Sequence, residues 1–178
     1  RWHRGKAGTT CIQILSHNGE YMKYDDVSEL MIKREHNILI VGNSASHIDK
    51  FFKGYSIPGS KYYDFTQINS DSDVERNEDA VSFIRDAMNS EEQTIIFNCA
   101  GWPDLGGGSA VSQFAMMARK FGKQLIVAVS EKDAIKLKDN FNIIGTLSYG
   151  KENFIAMSHT KNELTGGKRR YRIKNGCK

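Results

Sequence analysis

Two stretches of this chain carry the residue types that hold anions or move protons. The first is Gly42-Asn43-Ser44-Ala45-Ser46-His47, which follows an apolar run at 38–41 and leads into a helical pattern. Small polar residues between a strand and a helix offer backbone N–H groups and hydroxyls to a phosphate at the positive end of the helix. The competing reading is a plain turn in which Ser44 or Ser46 caps the helix. The second stretch is Asn98-Cys99-Ala100-Gly101-Trp102-Pro103-Asp104-Leu105-Gly106-Gly107-Gly108-Ser109. Its glycines let the backbone come close to a ligand, Trp102 offers a ring for stacking, and Asp104 offers an acid, a base or an acceptor. Here the competing reading is a surface loop with Trp102 as a lid on the core.

Further groups extend these two. Asp64 lies 22 residues after Gly42, near the separation at which an acidic residue accepts from a ribose diol. Ser44 at a strand end is a candidate nucleophile, with His159 or His47 as the base that takes its proton; a structural histidine is the alternative. Cys11, Cys99 and Cys177 are too widely spaced for a zinc knuckle and odd in number for a disulfide framework, so reduced thiols are expected. A small buried side chain is the expected role of Cys99.

The elements that must position these groups follow from periodicity. Short strand-like runs at 11–16 and 20–24 flank His17-Asn18-Gly19, a hairpin signal. A helix over 27–33 follows. Apolar runs at 37–41, 61–66, 94–98, 125–129, 142–147 and 153–158 predict strands. Helices are predicted from Ile48 to about Lys53 and over 78–89, 109–121 and 131–138, with Gly122 stopping the third. Residues 69–73 are expected in a loop. Alternation of helices with continuously apolar strands predicts a mostly parallel sheet covered on both faces. In such a sheet the ligand sits beyond the carboxyl ends of the strands. The positions expected to converge there are Gly42 to Ser44, Asp64, 98–108, Ser130 and His159.

The whole chain has 178 residues, enough for one core, and 39% hydrophobic with 26% charged content, which fits an ordinary globular domain. No run approaches the roughly 20 apolar residues of a membrane helix, so no membrane role is expected. The formal charge is +4, and Lys168-Arg-Arg-Tyr-Arg-Ile-Lys174 holds five of the 25 basic residues. The other 20 face 21 acidic residues, so the body of the domain is near neutral. That disfavours nucleic acid as a partner, although the basic run with Tyr171 could meet phosphates; a solvated hairpin or tail is the alternative. The chain begins at Arg1, which suggests a piece of something longer.

Asp64-Phe65-Thr66, the helix through Met88 and Thr94-Ile-Ile-Phe-Asn-Cys-Ala-Gly101 together resemble the core of the short-chain dehydrogenase/reductase family over residues 38–129. In that family the Asp-x-Thr and Asn-x-Ala-Gly strand ends line a dinucleotide. Its catalytic Tyr-x-x-x-Lys pair is absent. Residues 98–109 are also similar to the Asn-Ala-Ala-Asn…Gly-Gly-Gly stretch of ADP-ribose-binding macrodomains. These resemblances imply NAD(P) or another nucleotide, with Gly42, Asn43, Ser44, Asp64, Asn98, Gly101, Trp102, Gly106, Gly107, Gly108 and Ser109 around it. Residues 1–36 are expected to form a β-hairpin-plus-helix extension, 37–160 a three-layer Rossmann-like α/β domain with a mainly parallel sheet, and 161–178 a basic hairpin or tail. The expected function is binding of a nucleotide or ADP-ribose-like ligand, with Ser44, Asp104 and His159 as candidate catalytic groups. The alternatives are a hydrolase or nucleotide-consuming toxin or effector domain, acting in the cytoplasm after delivery from a secreted parent, and a non-catalytic protein-interaction domain.

Overall fold

The computed structural model describes residues 12–15, 21–22, 37–42, 44–54, 57, 59–69, 71–103, 105, 108–149, 154–159 and 169–173. Within these, residues 12–15, 21–22, 45–46, 53–54, 154, 156–159 and 169–173 are described as backbone only. The expected helix over 27–33 lies outside the described residues.

Five strands form the parallel heart of a mixed sheet: β3 (Ile38–Gly42), β4 (Ser60–Asp64), β5 (Thr94–Asn98), β6 (Gln124–Ser130) and β7 (Ile143–Ser148). They stand in the order β7-β3-β6-β5-β4. Beyond β7 the sheet continues antiparallel through β8 (Phe154–His159) and β9 (Arg169–Ile173) to β1 (Ile12–Leu15) and β2 (Tyr21–Met22). Only five residues, 149–153, lie between β7 and β8, too few for the crossover that a parallel neighbour needs, and β8 returns antiparallel. The predicted hairpin near Asn18-Gly19 is present as the β1–β2 pair, in the register Leu15 opposite Tyr21.

Helix placement follows from chain direction across the sheet. From β3 the chain crosses β6 and β5 to reach β4, then steps back through β5 to β6 and passes β3 to reach β7. Right-handed crossovers moving in opposite directions put their helices on opposite faces. Accordingly α1 (Ala45–Gly54) packs Ile48 and Phe51 into a cluster with Ile38, Ile40, Ile96 and Ile126. Helices α2 (Asp73–Asn89), α3 (Ala110–Met117) and α4 (Glu131–Leu137) cover the other face, where Ile84, Phe114 and Leu137 meet Leu39, Ile95, Phe97 and Leu125. Adjacent residues of β3, Leu39 and Ile40, are both fully buried on opposite faces. That is why this strand reads as a continuous apolar run. The chain is thus a three-layer Rossmann-like α/β fold.

Several boundaries differ from the sequence reading: the helix expected from Ile48 starts at Ala45, and the one expected over 109–121 is α-helical only to Met117, with a 3-10 segment over Ala118–Phe121. The strand expected over 61–66 ends at Asp64, because that carboxylate accepts from the N–H and hydroxyl of Thr66 at 3.0 and 2.5 Å and turns the chain into a short 3-10 segment, Phe65–Gln67. Helix α2 starts at Asp73 rather than near Glu78, capped by Ser72, whose hydroxyl accepts from the N–H of Glu75 at 3.2 Å. Its first turn faces solvent, Val74 included, so apolar spacing does not report it.

Candidate functional site

Gly42 ends β3 beside Ser130, its partner at the end of β6. An ideal Cβ on Gly42 would stand 2.7 Å from Cγ1 of Ile48, a fully buried residue of α1. Glycine here therefore lets the helix close onto the strand. Ser44 then caps α1: its hydroxyl accepts from the N–H of His47 at 3.4 Å and its carbonyl accepts from the N–H groups of His47 and Ile48. One reading of this stretch, a serine cap, is present; it keeps the positive end of α1 at the carboxyl edge of the sheet. Asn43 lies outside the described residues.

Across the reversal, Ser130 opens α4. Its hydroxyl donates to Oδ2 of Asp133 at 2.5 Å, while Lys136 donates to Oδ1 at 3.1 Å. Burial pushes the Asp133 carboxyl up, but the hydrogen bonds from Ser130 and Lys136 and the charges of Lys136 and Lys132 outweigh it and hold it below its ordinary value. Asp133 is 5% exposed and so fixes the first turn of α4 as an ionised group. The sequence reading named Ser130 but missed Asp133, although Ser-x-x-Asp after an apolar strand is a capping signal.

Asp64 and Asn98 pair in register at the same carboxyl edge, one strand apart. Asn98 is fully buried, donating to Asp49 of α1 at 3.3 Å and accepting from the N–H of Ala100 at 3.2 Å. It ties α1 to the end of β5. Because β6 and β5 separate β3 from β4, Asp64 stands three strand spacings, about 14 Å, across the sheet from β3 and level with Ile40, two residues short of Gly42. The two are therefore not side by side, as an arrangement with adjacent first and second strands would have them. Tyr62 neighbours this corner; burial pushes its hydroxyl up to about 12, with the Asn98 hydrogen bond pulling it down and Asp64 and Asp49 adding to the rise.

Downstream of β5 the chain turns tightly. The Trp102 N–H donates to the Cys99 carbonyl at 3.0 Å, and Gly101 has φ +76°, the positive value that the third residue of a type II turn requires. Trp102 is 6% exposed and packs edge-on to Phe65 at 5.4 Å. It borders a pocket of about 100 Å3 with Ala80 and Val111, well under the roughly 300 Å3 of a ligand site. Its ring seals the core under α2 and α3. Ser109 is 4% exposed and caps α3 by accepting from the N–H of Ser112 at 3.2 Å. Gly108 is exposed, with open space where a Cβ would stand. Asp104, Gly106 and Gly107 lie outside the described residues. Cys99 is fully buried, and desolvation, with the charge of Asp64, raises its pKa well above the ordinary thiol value, so it is no thiolate nucleophile at neutral pH.

His159 does not join this edge. Since β8 is antiparallel to β7, His159 pairs with Ile143, which pairs with Ile38 at the start of β3. Four residues of strand, about 13 Å, lie between that level and Gly42. A Ser44–His159 nucleophile and base pair is therefore not assembled within this sheet. The basic run is neither a loose tail nor an edge: β9 pairs with β8 on one side and β1 on the other. A residue the sequence did not single out, Tyr149 after β7, sets its ring 4.8 Å from that of His47.

No protein-family model matches the chain, and no relative matches among curated proteins. Among solved structures, one similar chain is that of Thermomonospora curvata EccC (ATPases 2 and 3) in complex with a signal sequence peptide, at 10% identity and a TM-score of 0.41. The match covers 97% of this chain and 41% of that one, so the chain spans about two-fifths of that neighbour's length. No described helix is long and apolar enough to cross a membrane.

Proposed function

We propose that this domain binds a nucleotide or dinucleotide-type ligand, of the ADP-ribose, NAD(P) or ATP class, at the carboxyl edge between β3 and β6. One observation carries the reading. Gly42 and Ser130 are register partners, yet the chain leaves them for α1 on one face and α4 on the other. Divergent exits of this kind open a crevice at the point where strand order reverses, the place where open α/β sheets take ligands. The capped amino end of α1 supplies positive potential there for a phosphate, and Gly42 keeps the strand end free of side-chain bulk.

Thermal unfolding with NAD, NADP, ADP-ribose, ADP and ATP tests this. A ligand at one hundred times its Kd stabilises the folded state by about 2.7 kcal/mol, which raises Tm by about 5–10 °C for a chain of this length. An unchanged Tm with all five at millimolar concentration overturns the reading.

A further inference from the structure

Among the described residues, two buried polar atoms at the carboxyl edge have no hydrogen-bond partner: Nδ1 of His47 and the hydroxyl oxygen of Tyr149. They belong to neighbouring rings, 4.8 Å between centroids and tilted by 37°. His47 sits in the first turn of α1 and Tyr149 directly follows β7, so the pair bridges the helix start and the strand beside β3. Lys50, one helical turn beyond His47, sets its ammonium 5.1 Å from the Tyr149 ring centre.

A buried hydroxyl left unpaired carries its desolvation cost with no return, and a phenylalanine at 149 would fill the same space without it. Burial pushes the Tyr149 hydroxyl up to about 12, so at neutral pH it is a neutral O–H donor. Imidazole adds an N–H donor in its Nδ1–H form, Lys50 adds a positive charge, and the amino end of α1 adds its partial positive charge. The two rings, the Lys50 ammonium over the Tyr149 ring and the amino end of α1 thus lie at one corner of the carboxyl edge, and the positive charge there favours an anionic acceptor.

We infer that His47 and Tyr149 are the anchoring donors for a phosphate-type oxyanion, with Lys50 supplying charge. The inference rests on reading this edge as the ligand-binding one. The oxyanion is the phosphoryl end of a nucleotide or a free phosphate or pyrophosphate; the recognising chemistry is the same.

Isothermal titration with ADP and, separately, with pyrophosphate tests the pair in the wild-type chain, Tyr149→Phe and His47→Leu. The expected result is that Tyr149→Phe keeps or raises Tm without ligand, because an unpaired polar group has gone, and weakens the affinity for both probes at least tenfold. His47→Leu weakens both likewise. If ADP binds the wild type and both variants equally, the inference falls and the proposed function stands. If pyrophosphate binds and is lost in Tyr149→Phe while ADP does not bind, the inference stands, and the five-ligand thermal test alone decides the proposed function. If neither probe binds the wild type, the inference falls.

Discussion

At the scale of single residues, the carboxyl edge is set by close packing at Gly42 and by one buried carboxylate. Gly42→Ala would press a methyl group into Cγ1 of the fully buried Ile48. The expected cost is about 1–3 kcal/mol, read by urea unfolding, and it shrinks in an Ile48→Ala background, where Cγ1 is gone. Asp133 makes a pH prediction. Its pKa lies below the ordinary carboxylate value in the folded chain, so the stability it contributes is complete above that ordinary value and is lost as pH falls through the folded pKa. Asp133→Asn should cost about 1–3 kcal/mol at pH 7, with the difference from wild type narrowing as pH falls below 4. A constant difference from pH 7 to pH 3 would sink this account. Gly42, Ser44 and Ser130 were legible in the sequence because they interrupt apolar runs. The Asp49 partner of Asn98 was not, because it meets Asn98 only once α1 lies on the sheet.

At the scale of elements, helix boundaries rest on polar contacts that periodicity does not carry. Ser72→Ala removes the cap of α2, with an expected loss of about 1 kcal/mol and faster amide exchange over the first turn of that helix. The far end of α2 is held by Lys123, which is 8% exposed and donates to the carbonyls of Ser90 and Glu92 at 2.5 and 2.6 Å. A lysine among these last carbonyls meets the negative end of the helix. Lys123→Met should keep the aliphatic packing yet lower stability by about 1 kcal/mol, because two half-buried carbonyls lose their charged donor. The strand and helix cores of this domain were readable, since a face buried against one neighbour imposes a period. Only the ends were misplaced, where one side chain meeting one backbone group decides the residue.

At the scale of the whole molecule, the basic run turns out to be a strand with neighbours on both sides. Truncation before Arg169 should therefore release β1 and β2 as well as β9, and hydrogen exchange should rise over 12–15 and 154–159 while β3, β5 and β6 keep their protection. Unchanged exchange at 12–15 would contradict the β1–β9 pairing. The sequence by itself determined that apolar strands alternate with amphipathic helices from 37 onward, and hence a parallel α/β core, because burial on both faces leaves its mark residue by residue. Strand order was decided only by the tertiary structure. It set Gly42 beside Ser130, moved Asp64 three strands away, turned His159 to the opposite edge and brought His47 against Tyr149. The physical reason is that local periodicity records whether a strand is buried, while its neighbours are chosen by crossover direction and packing between segments far apart in the chain.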